Sequence, residues 1–146
     1  MTKNQKGFTL VESLLVLSIF MIISFITAFS LQPEQSVLEN EVFLTQLRAD
    51  LLYGQQFAIS HQKEVTIVIL PSKHKYNLSL QGRLPAIIDR SFSPNIYLTE
   101  GSMPLSFKFL PDGNINKFGS FFIETKEKEY RMTFLIGRGR FYVTEQ

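Results

Sequence analysis

Lys6-Gly7-Phe8-Thr9-Leu10-Val11-Glu12 opens an apolar run that reaches Leu31, and it sets one carboxylate inside a segment otherwise suited to lipid. From Ser13 to Pro33 there are 21 residues without a charge. A helix from Phe8 to Leu31, at ~1.5 Å per residue, would be about 36 Å long, enough to cross a hydrocarbon core of ~30 Å. An ionisable group at the bilayer centre costs about 2.5–3.5 kcal/mol on insertion scales, and its default reading is functional. Glu12 lies only about one turn into the run, so it can snorkel toward the interface at lower cost. It is still an acid among hydrocarbon, and it calls for a partner.

The flanks give the run a direction. Lys3 and Lys6 precede it, and no Lys or Arg follows until Arg48. That asymmetry keeps the short N-terminus in the cytoplasm and sends residues 34–146 outside, as a single-pass membrane protein. A secretory signal peptide has a shorter apolar region, about 7–15 residues, with a small-residue cleavage site beyond it. Here Ala28-Phe29-Ser30-Leu31-Gln32-Pro33 is a poor site. Ser18, Ser24, Thr27 and Ser30 are tolerable in lipid because their hydroxyls can bond carbonyls one turn earlier. Pro33 disfavours helix at Gln32 and reads as a kink or short break between a membrane half and a soluble half.

The stretch Lys6 to Ser13, with the apolar helix behind it, resembles the prepilin motif of type IV pilins and pseudopilins. The resemblance implies that a membrane-embedded prepilin peptidase cuts between Gly7 and Phe8 and N-methylates the new Phe8 terminus. It also implies that Glu12 sets subunit register in filament assembly. The physics is consistent with that role. Cutting removes two lysines and exposes an α-amino group, unperturbed pKa ~7.7–8.0, within reach of a neighbour's Glu12. A buried charge without a partner is costly, so a neighbour offering an amine becomes favourable to dock against. Many pilins kink this helix with a proline, and none occurs here before Pro33. The plainer alternative is a signal anchor whose Glu12 merely snorkels.

The implied division is a leader at 1–7, a transmembrane and assembly helix at 8–32, and an extracytoplasmic domain at 33–146. The last part is one domain with a modest core. With no cysteine, it has neither disulfides nor thiolate metal sites. The 15 basic residues against 13 acidic become 13 against 13 once Lys3 and Lys6 are removed, so bulk charge carries no nucleic-acid signature.

Glu34 to His61 has helical periodicity. Val37, Phe43, Leu44, Leu47, Leu51, Leu52, Ala58 and Ile59 form the face expected on a sheet, with Val42, Tyr53 and Phe57 opposite. That second stripe reads either as ordinary surface or as a contact with neighbouring subunits. Beyond His61 the period changes to two. Strands are expected at Val65–Leu70, Tyr76–Leu80, Ile96–Leu98, Leu105–Leu110, Phe118–Thr125, Tyr130–Ile136 and Arg140–Thr144, with residues 83–95 irregular. Pro111-Asp112-Gly113-Asn114 and Gly137-Arg138-Gly139 carry hairpin chemistry, because Gly and Asn supply positive φ.

This α+β layout, a long N-terminal helix (membrane half plus amphipathic half) packed on antiparallel sheet, resembles the pilin fold. Phe107 to Asn114, Phe121-Phe122-Ile123 and Tyr130 to Gly137 resemble the H-type minor pseudopilins, most of all the small cysteine-free ones of competence DNA-uptake machines. The resemblance implies a minor subunit of a type IV pilus-like filament, without catalysis or cofactor. Its implied partners are the prepilin peptidase, the major and other minor pseudopilins and, indirectly, an assembly ATPase and platform membrane protein. A type II secretion pseudopilus and a minor type IV pilin are the neighbouring readings. From a different class comes a membrane-anchored DNA receptor using Arg131, Arg138 and Arg140 beside Tyr130, Phe141 and Tyr142, since basic and aromatic residues together suit single strands.

Other candidates are weaker. Asp112, Asn114 and Asn116 alternate like the first half of a calcium loop, but Lys117 stands where that loop needs Gly. His61 and His74 have no acid or second His at ligand spacing, and His61 suits a helix C-terminus. No catalytic constellation is visible.

Overall fold

A computed structural model describes residues 9–30, 32–83, 85–137 and 139–146. Lys3, Lys6, Gly7, Phe8, Leu31 and Arg138 lie outside the described residues. The apolar run forms helix α1, Leu10–Ser30. Its hydroxyls do what lipid requires. Ser18 donates to the carbonyls of Leu14 and Leu15, each at 2.9 Å, and Thr27 donates to Ile23 O at 2.8 Å. Helix α2 follows, Gln32–His61. Pro33 is its second residue, where a missing N–H costs no helical bond.

The chain divides into two compact units, Met1–Leu38 and Glu39–Gln146. In the second unit α2 is followed by β1 (Val65–Leu70), β2 (Lys75–Leu80), β3 (Ile88–Ser91) and β4 (Tyr97–Glu100). Then come β5 (Ser106–Phe109), β6 (Gly119–Glu124), β7 (Glu129–Phe134) and β8 (Phe141–Glu145). They form two four-stranded antiparallel sheets, ordered β3-β2-β1-β5 and β4-β6-β7-β8. The single sheet expected from the strand pattern is thus two.

One core joins α2 to both sheets. Leu47, Leu51 and Ala58 are fully buried together with Ile67, Leu78, Phe109, Phe121 and Met132. Phe107 and Phe134 meet between the sheets, their ring centroids 5.1 Å apart, and Phe134 packs on its cross-strand neighbour Phe141 at 5.0 Å. Such pairs add about 0.5–1.5 kcal/mol each beyond their buried area. Gly54 lets α2 approach β2, since a Cβ there would lie 2.6 Å from Leu78 Cδ2.

The buried stripe of α2 is narrower than its periodicity suggested. It runs Asn40, Phe43, Leu47, Asp50, Leu51, Gly54, Ala58, while Leu52 and Ile59 are exposed and Leu44 is half-buried. Leu52 is turned ~100° from Leu51, off the line that meets the sheets. The side chain of Val37 lies outside the described residues. Val42 and Tyr53 are exposed as expected, while Phe57 is half-buried and stacks on His61 at 3.8 Å between centroids. The His61 Nδ1 sits 3.1 Å from Phe57 O, in keeping with a helix-terminal role.

Two further expectations change. The segment 83–95 is not irregular throughout, because β3 pairs there with β2. The turn at Pro111–Asn114 does not join two full strands, since β5 and β6 belong to different sheets. It folds residues 114–116 back onto β5, through a Phe109–Ile115 bridge and Asn116 N–H to Lys108 O at 3.0 Å.

Candidate assembly site

At the start of α1, Thr9 is the cap. Its Oγ1 accepts the Glu12 backbone N–H at 3.3 Å, and its carbonyl accepts the Ser13 N–H at 3.1 Å. Thr9-Leu10-Val11-Glu12 has the spacing of a capping box, a signal in the sequence that the apolar reading passed over. The Glu12 carboxylate itself has no ion pair or side-chain hydrogen bond among the described residues. Every described residue of α1 from Leu10 to Ala28 is exposed, and the helix is long and apolar enough to cross a membrane. Here a negative group and an apolar surface stand together, and the described residues cover neither. Gly7 and Phe8, the expected cleavage and methylation positions, lie outside the described residues.

The second unit holds the opposite case. Asp50 is 4% exposed on the buried stripe of α2. Tyr76 and Arg90 are directly opposed across β2 and β3, so both side chains leave the same face of the sheet. They converge on Asp50: Tyr76 OH donates to Oδ2 at 2.6 Å, and Arg90 Nε donates to Oδ2 at 2.7 Å. Gln46 Nε2, one turn back on α2, donates to Oδ1 at 3.0 Å. Burial, then the hydrogen bond to the carboxylate, pushes the Tyr76 hydroxyl well above its ordinary range. The Asp50 hydrogen bond and charge likewise raise Arg90. This carboxylate fastens α2 to the hairpin of β2 and β3. Periodicity did not reveal it, although an acid three residues after Leu47 on an apolar stripe is a readable anomaly.

Two of the three arginines of the expected patch are described. Arg131 lies on the outer face of β7, its guanidinium carbon 5.2 Å from the centroid of the Phe122 ring. Arg140 is exposed beside the hairpin, where its carbonyl accepts the Leu135 N–H at 2.8 Å. Arg138 lies outside the described residues. Tyr130 and Phe141, expected beside these cations, instead pack partly buried against the core, because alternation turns them inward. Tyr142 alone of the three aromatic residues is exposed.

The alternating oxygens at 112–116 serve a turn. Asp112 accepts the Asn114 N–H at 2.9 Å and its Nδ2 at 2.7 Å, while Asn116 Oδ1 accepts the Lys108 N–H at 2.7 Å. No group of three metal-binding side chains occurs among the described residues.

Comparison with known proteins bears on both units. Residues 2–28 match the family described as the prokaryotic N-terminal methylation motif. Competence protein ComGD of Bacillus subtilis (strain 168) is 29% identical over 137 residues, covering 94% of this chain and 92% of that protein. The crystal structure of the type IV minor pilin FimU of Pseudomonas aeruginosa (PAO1) superposes with a TM-score of 0.58 at 15% identity, covering 68% of this chain and 84% of that one. The minor pseudopilin EpsH from the Type 2 Secretion System of Vibrio cholerae gives 0.55 at 14% identity, covering 73% and 97%. At such identities the two structures speak for the fold alone. The chain thus carries a match to the methylation motif in its first residues and, after it, an α+β fold similar to that of these minor pilin and pseudopilin subunits.

Proposed function

We propose that the protein is a minor pseudopilin of a type IV pilus-like filament, the competence pseudopilus that takes up DNA. The observation that carries this reading is similarity to a competence protein along nearly the whole chain, joined to the N-terminal methylation motif. In this reading residues 1–7 are a leader removed by a prepilin peptidase between Gly7 and Phe8, and Phe8 is then N-methylated. Residues 8–32 hold the precursor in the membrane with its N-terminus in the cytoplasm, and 33–146 form the outer domain. Glu12 meets the amine of an adjoining subunit, which gives the carboxylate a partner that it does not have among the described residues and sets the register. The exposed stripe of α2 through Val42 and Tyr53 contacts other subunits, major or minor.

The protein contributes position and shape rather than chemistry, and the ATPase and platform protein act on the filament. Removal of the chain from cells should abolish transformation while secretion and surface adhesion continue. Loss of protein secretion instead would assign it to a type II pseudopilus, and loss of adhesion or motility to a type IV pilus. A DNA receptor would bind single strands with an affinity that collapses as salt rises and disappears when Arg138 and Arg140 are changed. The contact of Arg131 with Phe122 and the inward turn of Tyr130 and Phe141 weigh against that alternative.

A further inference from the structure

The first turn of α1 holds half of a capping box. In a complete box the cap hydroxyl accepts the N–H three residues on, and the acid at that position accepts the N–H of the cap residue. Here the first bond is made, from Glu12 N–H to Thr9 Oγ1 at 3.3 Å, and the second is open among the described residues. The Glu12 carboxylate thus stands one bond away from a partner in its own chain. That partner competes with any partner outside it.

Few groups can serve the donors of this turn. The first four N–H groups of a helix have no acceptor within it, and leaving one unmet is costly where water is scarce. Ser13 turns its hydroxyl to the Thr9 carbonyl, at 3.3 Å, and Leu10 and Val11 have apolar side chains. Upstream, the side-chain acceptors Asn4 and Gln5 belong to the leader, so the cut proposed above leaves only Phe8 before Thr9. In the cut chain two side chains remain to accept from the first turn, Thr9 and Glu12. What the Thr9 hydroxyl does not satisfy falls to the carboxylate, whose charge is attracted to a helix start.

We infer that Thr9 is a positioning residue for assembly: by capping α1 with its hydroxyl, it leaves the Glu12 carboxylate free for the amine of an adjoining subunit. The inference rests on the function proposed above and adds a second residue to the same site. Thr9 holds the Glu12 backbone and not its carboxylate. A side chain without an acceptor at position 9 lets the carboxylate close on its own helix start, and docking must then break that bond. Serine keeps the acceptor. Valine keeps the shape and loses it.

The test uses the full-length chain in cells without the native copy, with incorporation read by immunoblotting of sheared filaments. Thr9→Val should lower incorporation by about fivefold, the strength of one cap, and Thr9→Ser should leave it normal. Mass spectrometry should find the Phe8 terminus in both. In a Glu12→Val chain, adding Thr9→Val should change the residual incorporation by less than about twofold, because no carboxylate is left to divert. Normal incorporation of Thr9→Val overturns the inference. So does a loss that Thr9→Ser shares, a loss traced to uncut precursor, or an equal loss with and without Glu12, which marks a merely structural cap. Normal incorporation of Glu12→Val overturns the assembly reading itself, and this inference with it.

Discussion

Each helix carries one instructive carboxylate, and the two have opposite surroundings. Asp50, on α2, is buried with three side-chain donors from its own chain, Gln46, Tyr76 and Arg90. Glu12, on α1, is exposed in an apolar helix, and among the described residues its carboxylate has no such partner. The second unit thus satisfies its own buried charge, as a self-sufficient fold must. In the first unit the described residues cover neither the Glu12 carboxylate nor the apolar face of α1. The contrast separates a carboxylate that holds a fold from one that, in the function proposed above, is held for assembly.

Substitutions that act on one carboxylate and spare the other break or sharpen this contrast. Glu12→Val has the largest expected effect, and only on assembly. Leaving one member of a buried charge pair alone costs about 3–5 kcal/mol, so incorporation into filaments should fall by about a hundredfold or more. Immunoblotting of sheared filaments measures it, and cleavage and thermal stability should stay normal. Asp50→Ala should do the reverse. Losing charged hydrogen bonds costs about 2–3 kcal/mol with Arg90 half-exposed, a fall of roughly 10 °C in Tm by circular dichroism. Any variant that survives this loss should still be cleaved.

A third change probes how the second unit closes without help. Gly139 adopts φ +56°, and a Cβ there would lie 2.5 Å from Gly113 O and 2.6 Å from Gln55 Nε2. Gly139→Ala should cost about 1–3 kcal/mol, read by chemical denaturation. The smallest effect is on pH dependence. The Tyr76 hydroxyl is raised in the folded protein, so its contribution is fully present below the unfolded value of ~10 and lost as pH climbs beyond it. The Tm difference between wild type and Tyr76→Phe should stay constant up to that pH and shrink above it.

The sequence disclosed these two regions unequally. The apolar helix and the place of Glu12 near its start were plain from hydropathy, because lipid allows few alternatives for such a segment. Most strands were plain from alternation. Their division into two sheets was hidden, since a turn such as Pro111–Asn114 reports a reversal and not the strand that follows it. Strand β3 escaped because Asp89 and Arg90 break the apolar pattern, and Arg90 is there for Asp50. The outer limits of the buried stripe, at Leu52 and Ile59, depend on where the sheets lie, which periodicity along one helix does not encode. The inward turn of Tyr130 and Phe141 was open to alternation, and grouping residues by type alone obscured it.

The central claim is that Glu12 waits for an amine made by cutting the chain at Gly7-Phe8. Mass spectrometry of the N-terminal peptide from native protein tests it most directly. The account predicts a peptide beginning at N-methylated Phe8, with Met1 to Gly7 absent. A chain that keeps Met1, or one cut beyond Leu31, would contradict it.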